Sequence, residues 1–146
     1  MKKNEDQNVE YLNCIYKNAI MGIIGIDDII EKVNSSEFEK VLNNEKNEYD
    51  AICREAINIL KKYGKKEEDV GSLAKVSTKI MSEMKLLKET TDEVIAKMMI
   101  EGTNKGIIEV SEKINSYDNS DSEIVLLLNK LSELLKNNIE ELKKYL

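Results

Sequence analysis

Four stretches of this chain place apolar residues at alternating spacings of three and four, and no proline interrupts them. That spacing gathers apolar side chains on one stripe of a helix. The absence of proline removes the strongest helix breaker. The first stripe is Val9, Leu12, Tyr16, Ala19, Ile23, Ile26, Ile30 and Val33. The second is Phe38, Leu42, Glu45, Tyr49, Ile52, Ala56, Ile59 and Tyr63. The third contains Ile95, Met99, Gly102, Gly106, Val110 and Tyr117, and the fourth Ile124, Leu128, Leu131, Leu135, Asn138, Leu142 and Tyr145. No segment alternates with the period of two that a half-buried strand needs, and no hairpin turn pair is present. The chain reads as all-α.

Polar residues followed three positions later by Glu or Gln mark where these helices begin. The pairs are Asn4 with Gln7, Ser36 with Glu39, Thr90 with Glu93, and Ser120 with Glu123. In a capping box the first side chain accepts from a free first-turn amide and the second reaches back to the cap amide. Gly64 is a good stop for the second helix. The helices expected are about 5–33, 37–63, 70–88, 91–117 and 121–145, in a single domain of 146 residues. The segment 70–88 carries a shorter apolar side of Leu73, Val76, Ile80, Met84 and Leu87. Fusing it with the next helix would give one rod ~70 Å long that overhangs its partners.

Short turns make helices 1 and 2, and helices 3 and 4, antiparallel neighbours. The residues between the two pairs are numerous enough to return the chain along the bundle. That implies one long crossover rather than a simple up-down-up-down order.

The formal net charge of −6 and pI near 4.9 oppose nucleic-acid binding, which needs a basic surface to displace counterions from phosphate. The most apolar run, Ile20 to Ile26, stops at Asp27-Asp28 and falls far short of the ~20 residues of a membrane span. The start of the sequence leads into no signal-peptide core. Cys14 and Cys53 have no metal-binding spacing and suit a reducing, cytoplasmic setting. No histidine is present, which removes Ser-His-Asp and Cys-His chemistry. No catalytic residue is assigned.

Glu45 is the most informative residue, because it stands where a stripe calls for Leu or Ile. A buried carboxylate must be paired, protonated or bound to something. Tyr16, Tyr49 or a lysine could partner it; a ligand or metal contact, or a shifted helix phase that exposes it, are the alternatives. Asn138 interrupts the fourth stripe as a single polar core residue of the kind that fixes register. Gly102-x-x-x-Gly106 and Gly22-x-x-Gly25 allow close helix approach. Met81, Met84, Met98 and Met99 fill core gaps or line a groove beneath the crossover. Cys14 falls opposite its stripe and is expected at the surface. Asp27-Asp28 reads as solvated surface.

The segments Tyr11-Leu-Asn-Cys-Ile-Tyr-Lys-Asn-Ala19 and Met98-Met-Ile-Glu-Gly-Thr-Asn-Lys-Gly-Ile107 resemble those of an uncharacterised family of small helical proteins in Firmicutes. That family is similar to the ferritin and rubrerythrin superfamily in its helix layout. The resemblance implies a ferritin-like four-helix bundle with an additional short helix in the crossover between helices 2 and 3. It carries no function over. The superfamily's di-iron members place Glu-x-x-His on two helices. Here Glu45-Lys-Asn-Glu48 has Glu in the histidine place, and Glu133-x-x-Lys136 and Glu140-x-x-Lys143 have a cation there. No cofactor and no metal site are therefore expected. The leading expectation is a non-enzymatic bundle acting by self-association, as a homo-oligomer, or by binding a protein partner. The alternatives are a carboxylate-only metal site at Glu45 and Glu48, or a small ligand in the core with Glu45 and Tyr49 as its polar handle.

Overall fold

The computed structural model describes residues 2–68, 79, 82–83, 90–117 and 121–146. Helix α1 spans Lys2–Ile29 and tightens into a 3₁₀ turn, Ile30–Lys32; α2 spans Ser36–Lys62, α3 Asp92–Ser116 and α4 Ser122–Lys143. No strand occurs among the described residues. The short helix expected at 70–88, with Met81 and Met84, lies outside the described residues except at Lys79, Ser82 and Glu83, which are helical.

The caps sit one residue away from the expected boxes. Ser35 accepts from Phe38 N, Thr91 accepts from Val94 N, and Asp121 accepts from Glu123 N and Ile124 N. Each of these caps has extended backbone while its successor is already helical, which is what a cap position requires. Asn4 lies inside α1. The third helical position is therefore Phe38, Val94 or Ile124, so these are simple caps without the reciprocal Glu contact. Gly64 ends α2 as expected. Its φ of +68° lets Lys65 N reach Leu60 O and Gly64 N reach Lys61 O, the paired bonds of a Schellman motif.

Helix α1 packs antiparallel on α2, and α3 antiparallel on α4, as the two most extensive contacts. The long-range bonds set the remaining directions. Asn34 N and Ser35 N both donate to the Asp92 carboxylate, at 2.8 and 3.0 Å, so α3 starts beside the turn where α2 starts. Lys62 pairs with Glu123 and Lys130 with Glu55, so α4 starts where α2 ends. Helices α2 and α3 thus run the same way, and residues 64–91 carry the chain the length of the bundle. This is the one-crossover layout that the helix spacing implied.

The stripes of α2 and α4 are buried as written, apart from half-buried Tyr63 and Tyr145 at their ends. Helix α1 is different. Besides Leu12, Tyr16, Ala19 and Ile26 it buries Tyr11, Cys14 and Ile15. Cys14 is 8 % exposed, not at the surface as its phase suggested. The reason is that α1 contacts α2, α3 and α4, so a single stripe underestimates its buried face.

Candidate functional site: a cavity between α1 and α3

Side chains are missing where α1 and α3 face each other. Gly22 and Gly25 stand on one helix, Gly102 and Gly106 on the other, and all four line a cavity of about 340 Å³. A Cβ placed on Gly102 would meet nothing within 4 Å, while one on Gly106 would touch Asn18 Oδ1 at 3.4 Å and Leu135 at 3.6 Å. Gly106 therefore packs against α1 and α4, whereas Gly102 is exposed at the rim of the cavity. Apolar walls come from Met21, Ile29, Ile95, Met98, Met99 and Leu135. The methionines of α3, Met98 and Met99, pack against the core and line this groove as well.

Asn18 of α1, Tyr49 of α2 and Thr103 of α3 are the uncharged polar residues of its described lining. The Tyr49 ring lies flat against α1, because a Cβ on Gly22 would be 2.6 Å from Tyr49 Cε2. Burial pushes its phenol up to about 12, opposed by the nearby Asn138 and Thr103 side chains and reinforced by Glu45. Tyr49 is therefore a protonated phenol at neutral pH. The charged residues of the lining, Lys79, Glu83, Glu101, Lys105 and Glu109, are all exposed and form the mouth.

Behind Tyr49, between α2 and α4, lie two polar side chains that are each 3 % exposed, Glu45 and Asn138. Glu45 Oε1 and Asn138 Nδ2 have no hydrogen-bond partner. The Asn138 amide is close enough to the Tyr49 oxygen to favour its phenolate, but short of a full hydrogen bond. Burial, then the charges of Glu48 and Glu141, push the Glu45 carboxyl up to about 8, so it is protonated at neutral pH. Orphaned buried polar atoms cost ~1–3 kcal/mol each.

Residues 7–116 match the family described as a domain of unknown function, DUF2383. The chain belongs to this family. Among curated proteins, none matches the sequence. The fold of this DUF2383 chain is similar to that of Dps from Microbacterium arborescens in the high iron form, with a TM-score of 0.77 and 9 % identity over 97 % of this chain and 93 % of that one. That likeness establishes the ferritin-like four-helix-bundle fold.

Of the residues singled out in the DUF2383 sequence, Glu45, Tyr49 and Asn138 come together and Tyr16 does not. Tyr16 packs near Cys53, whose thiol points to its carbonyl at 4.0 Å, and burial with the charges of Cys53 and Glu67 raises its phenol. Among the described residues neither tyrosine nor any lysine is bonded to Glu45 Oε1, and protonation takes the place of the expected partner. Among the described residues no three acidic or cysteine side chains gather closely enough to share a metal ion. Glu48 is exposed, and Glu140 pairs with Lys143 at the surface. Cys14 donates to Glu109 at 3.5 Å, and burial pushes its thiol up to about 12, so it is not a nucleophile.

Two features escaped the sequence reading. Thr103 completes the interior of the cavity and has no signal beyond its place one residue after Gly102. Asn8, from a polar lead-in, joins all four helices. Its Nδ2 donates to Tyr63 OH at 2.9 Å, its Oδ1 accepts from Tyr117 OH at 2.6 Å, and Tyr63 OH donates to Asp121 Oδ2 at 2.7 Å. Among the described residues, no helix is long and apolar enough to cross a membrane.

Proposed function

We propose that the protein acts by binding rather than by catalysis, and that the cavity between α1 and α3 receives a small, largely apolar molecule. The carrying observation is the cavity itself. Its volume falls in the ~300–1,000 Å³ range of small-molecule sites, with apolar walls and a few convergent polar groups. Among the described residues of the lining, the charged side chains are all exposed and the other polar ones, Asn18, Tyr49 and Thr103, are uncharged, which supports binding without providing a nucleophile or a base.

The iron of the Dps neighbour's high iron form is not carried over to this chain. Imidazole is missing from the sequence. The one fully buried carboxylate among the described residues, Glu45, is neutral at pH 7 and has burial against its ionisation. Those donors do not fit a di-iron centre. The two free cysteines, Cys14 and Cys53, suit a reducing cytoplasm.

The test uses N-phenyl-1-naphthylamine, an uncharged probe that fluoresces in apolar sites. Wild type is expected to bind it saturably, and Gly102→Leu, which fills open space, is expected to lose at least tenfold in affinity while melting no lower. Equal binding by both proteins would overturn the assignment.

A second reading, self-association, draws on Val125 and Leu126 side by side on the outer surface of α4, with Leu126 68 % exposed. Sedimentation equilibrium of wild type and Leu126→Glu tests it. A monomer in both cases would remove it.

A further inference from the structure

One polar group of the cavity lining has a fixed hydrogen-bonding sense. Asn18, Gly22, Gly25 and Ile29 follow one another along α1 at spacings of four, three and four, and all of them line the cavity. Residues so spaced form one stripe of a helix, so Asn18 stands on the same wall as the two glycines. Its Nδ2 donates to Cys14 O at 3.0 Å and lies 3.6 Å from Cys14 Sγ. A backbone carbonyl only accepts, so the end of the amide that faces it is the nitrogen. The other end, Oδ1, is turned to α3, because a Cβ on Gly106, also in the lining, would lie 3.4 Å from it. Among the described residues the Asn18 side chain makes the two bonds to Cys14, and Oδ1 takes part in neither.

The other uncharged polar residues of the described lining, Tyr49 and Thr103, carry hydroxyls. A hydroxyl donates or accepts as its proton turns, so neither decides the polarity of what the cavity receives. An amide oxygen can only accept. A molecule that covers Asn18 takes water away from Oδ1. If it offers only a lone pair or a methyl group, the oxygen is left unsatisfied. If it offers an O–H or N–H, the lost bond to water is replaced.

We propose that the ligand is an uncharged, ring-sized apolar molecule carrying a hydroxyl or N–H group that donates to Asn18 Oδ1. This rests on the binding role proposed for the cavity. The bond to the Cys14 carbonyl holds the amide, so the acceptor is oriented before the ligand arrives. Asn18 sets specificity, while the glycines and methionines provide room and apolar contact.

Three naphthalenes that differ at one substituent make the test: 2-naphthol, whose hydroxyl donates, 2-methoxynaphthalene, whose oxygen only accepts, and 2-methylnaphthalene, which does neither. Affinities are read by titration calorimetry on the full chain, for wild type and for Asn18→Leu, which keeps the side chain's size without its oxygen. From wild type to variant, affinity for 2-naphthol is expected to fall roughly five- to tenfold further than affinity for the ether or the hydrocarbon, as one neutral hydrogen bond allows. A merely structural role for Asn18 would weaken all three probes alike. If Asn18→Leu does not fold, Asn18→Ala is measured in its place with the same expectation. Equal changes for all three probes, or a loss for the ether as large as for the naphthol, overturns the proposal and leaves the binding role standing. Failure of all three probes to bind wild type overturns both.

Discussion

Two polar regions cross the interior of this bundle, and they are finished to different degrees. At the end where α1 and α4 begin, Asn8, Tyr63, Tyr117 and Asp121 tie all four helices together. At mid-bundle, Glu45 and Asn138 are buried more deeply, yet each keeps a polar atom without a partner. A satisfied network rigidifies and fixes register, whereas a half-satisfied one is a cost. The Asn138 cluster adjoins, through Tyr49, a cavity of about 340 Å³.

The largest expected effect comes from spoiling the finished region. Asn8→Ala removes the partner of Tyr117 and one partner of Tyr63, and should cost ~2–4 kcal/mol in denaturant-unfolding free energy. A loss below about 0.5 kcal/mol would mean that the network contributes no more than a surface contact.

Next is Glu45, where the unfinished region should respond in the opposite sense. Its carboxyl ordinarily titrates near 4.5 and is held up at about 8 in the fold. Below pH 4.5 both folded and unfolded chains carry the proton and nothing is lost. As pH rises, the unfolded chain releases its proton first, so stability falls progressively until about pH 8. Glu45→Gln keeps the shape and cannot ionise. It should match wild type near pH 4 and exceed it by on the order of a few kcal/mol at pH 8. Parallel melting temperatures of the two proteins across that window would show that Glu45 is not titrating as described.

The smallest effects come from two glycines of the same cavity. Gly22→Ala forces a methyl into the Tyr49 ring and should destabilise by ~1–2 kcal/mol, within the usual cost of overpacking. Gly102→Ala meets open space and should stabilise by ~0.5–1 kcal/mol through helix propensity. Thermal unfolding of the pair decides whether the α1–α3 gap is open where the geometry puts it. Two changes of the same sign would contradict it.

How much of this was legible in the sequence varied with how many partners each helix has. Helices α2 and α4 bury one stripe each, so spacing alone identified Phe38, Leu42, Ile124 and Leu128 as core. Helix α1 meets three others, and Cys14 was misplaced because a stripe describes only one contact. The caps slipped where like residues adjoin: Ser35-Ser36 and Thr90-Thr91 offer two candidates each, and only backbone dihedrals distinguish them. Glu45 and Asn138 stood out as polar interruptions of apolar stripes. What surrounds them did not, since an orphaned atom is a property of two packed helices. The cavity was half legible. Its glycines and methionines were visible, but whether small residues bring helices together or leave a gap depends on the neighbour: Gly22 receives a ring and Gly102 receives nothing.

The Asp92 carboxylate has a consequence for how this chain can vary. It grips the backbone of Asn34 and Ser35, while Glu68 N, at the other end of the crossover, donates to Asn13 Oδ1 at 3.0 Å. Both ends of the connection are thus fastened to the first helical pair. Losing Asp92 would release the start of α3 from the turn that places it, and losing Asn13 would free Glu68 from α1. These two moorings are where the architecture cannot accept new sequence.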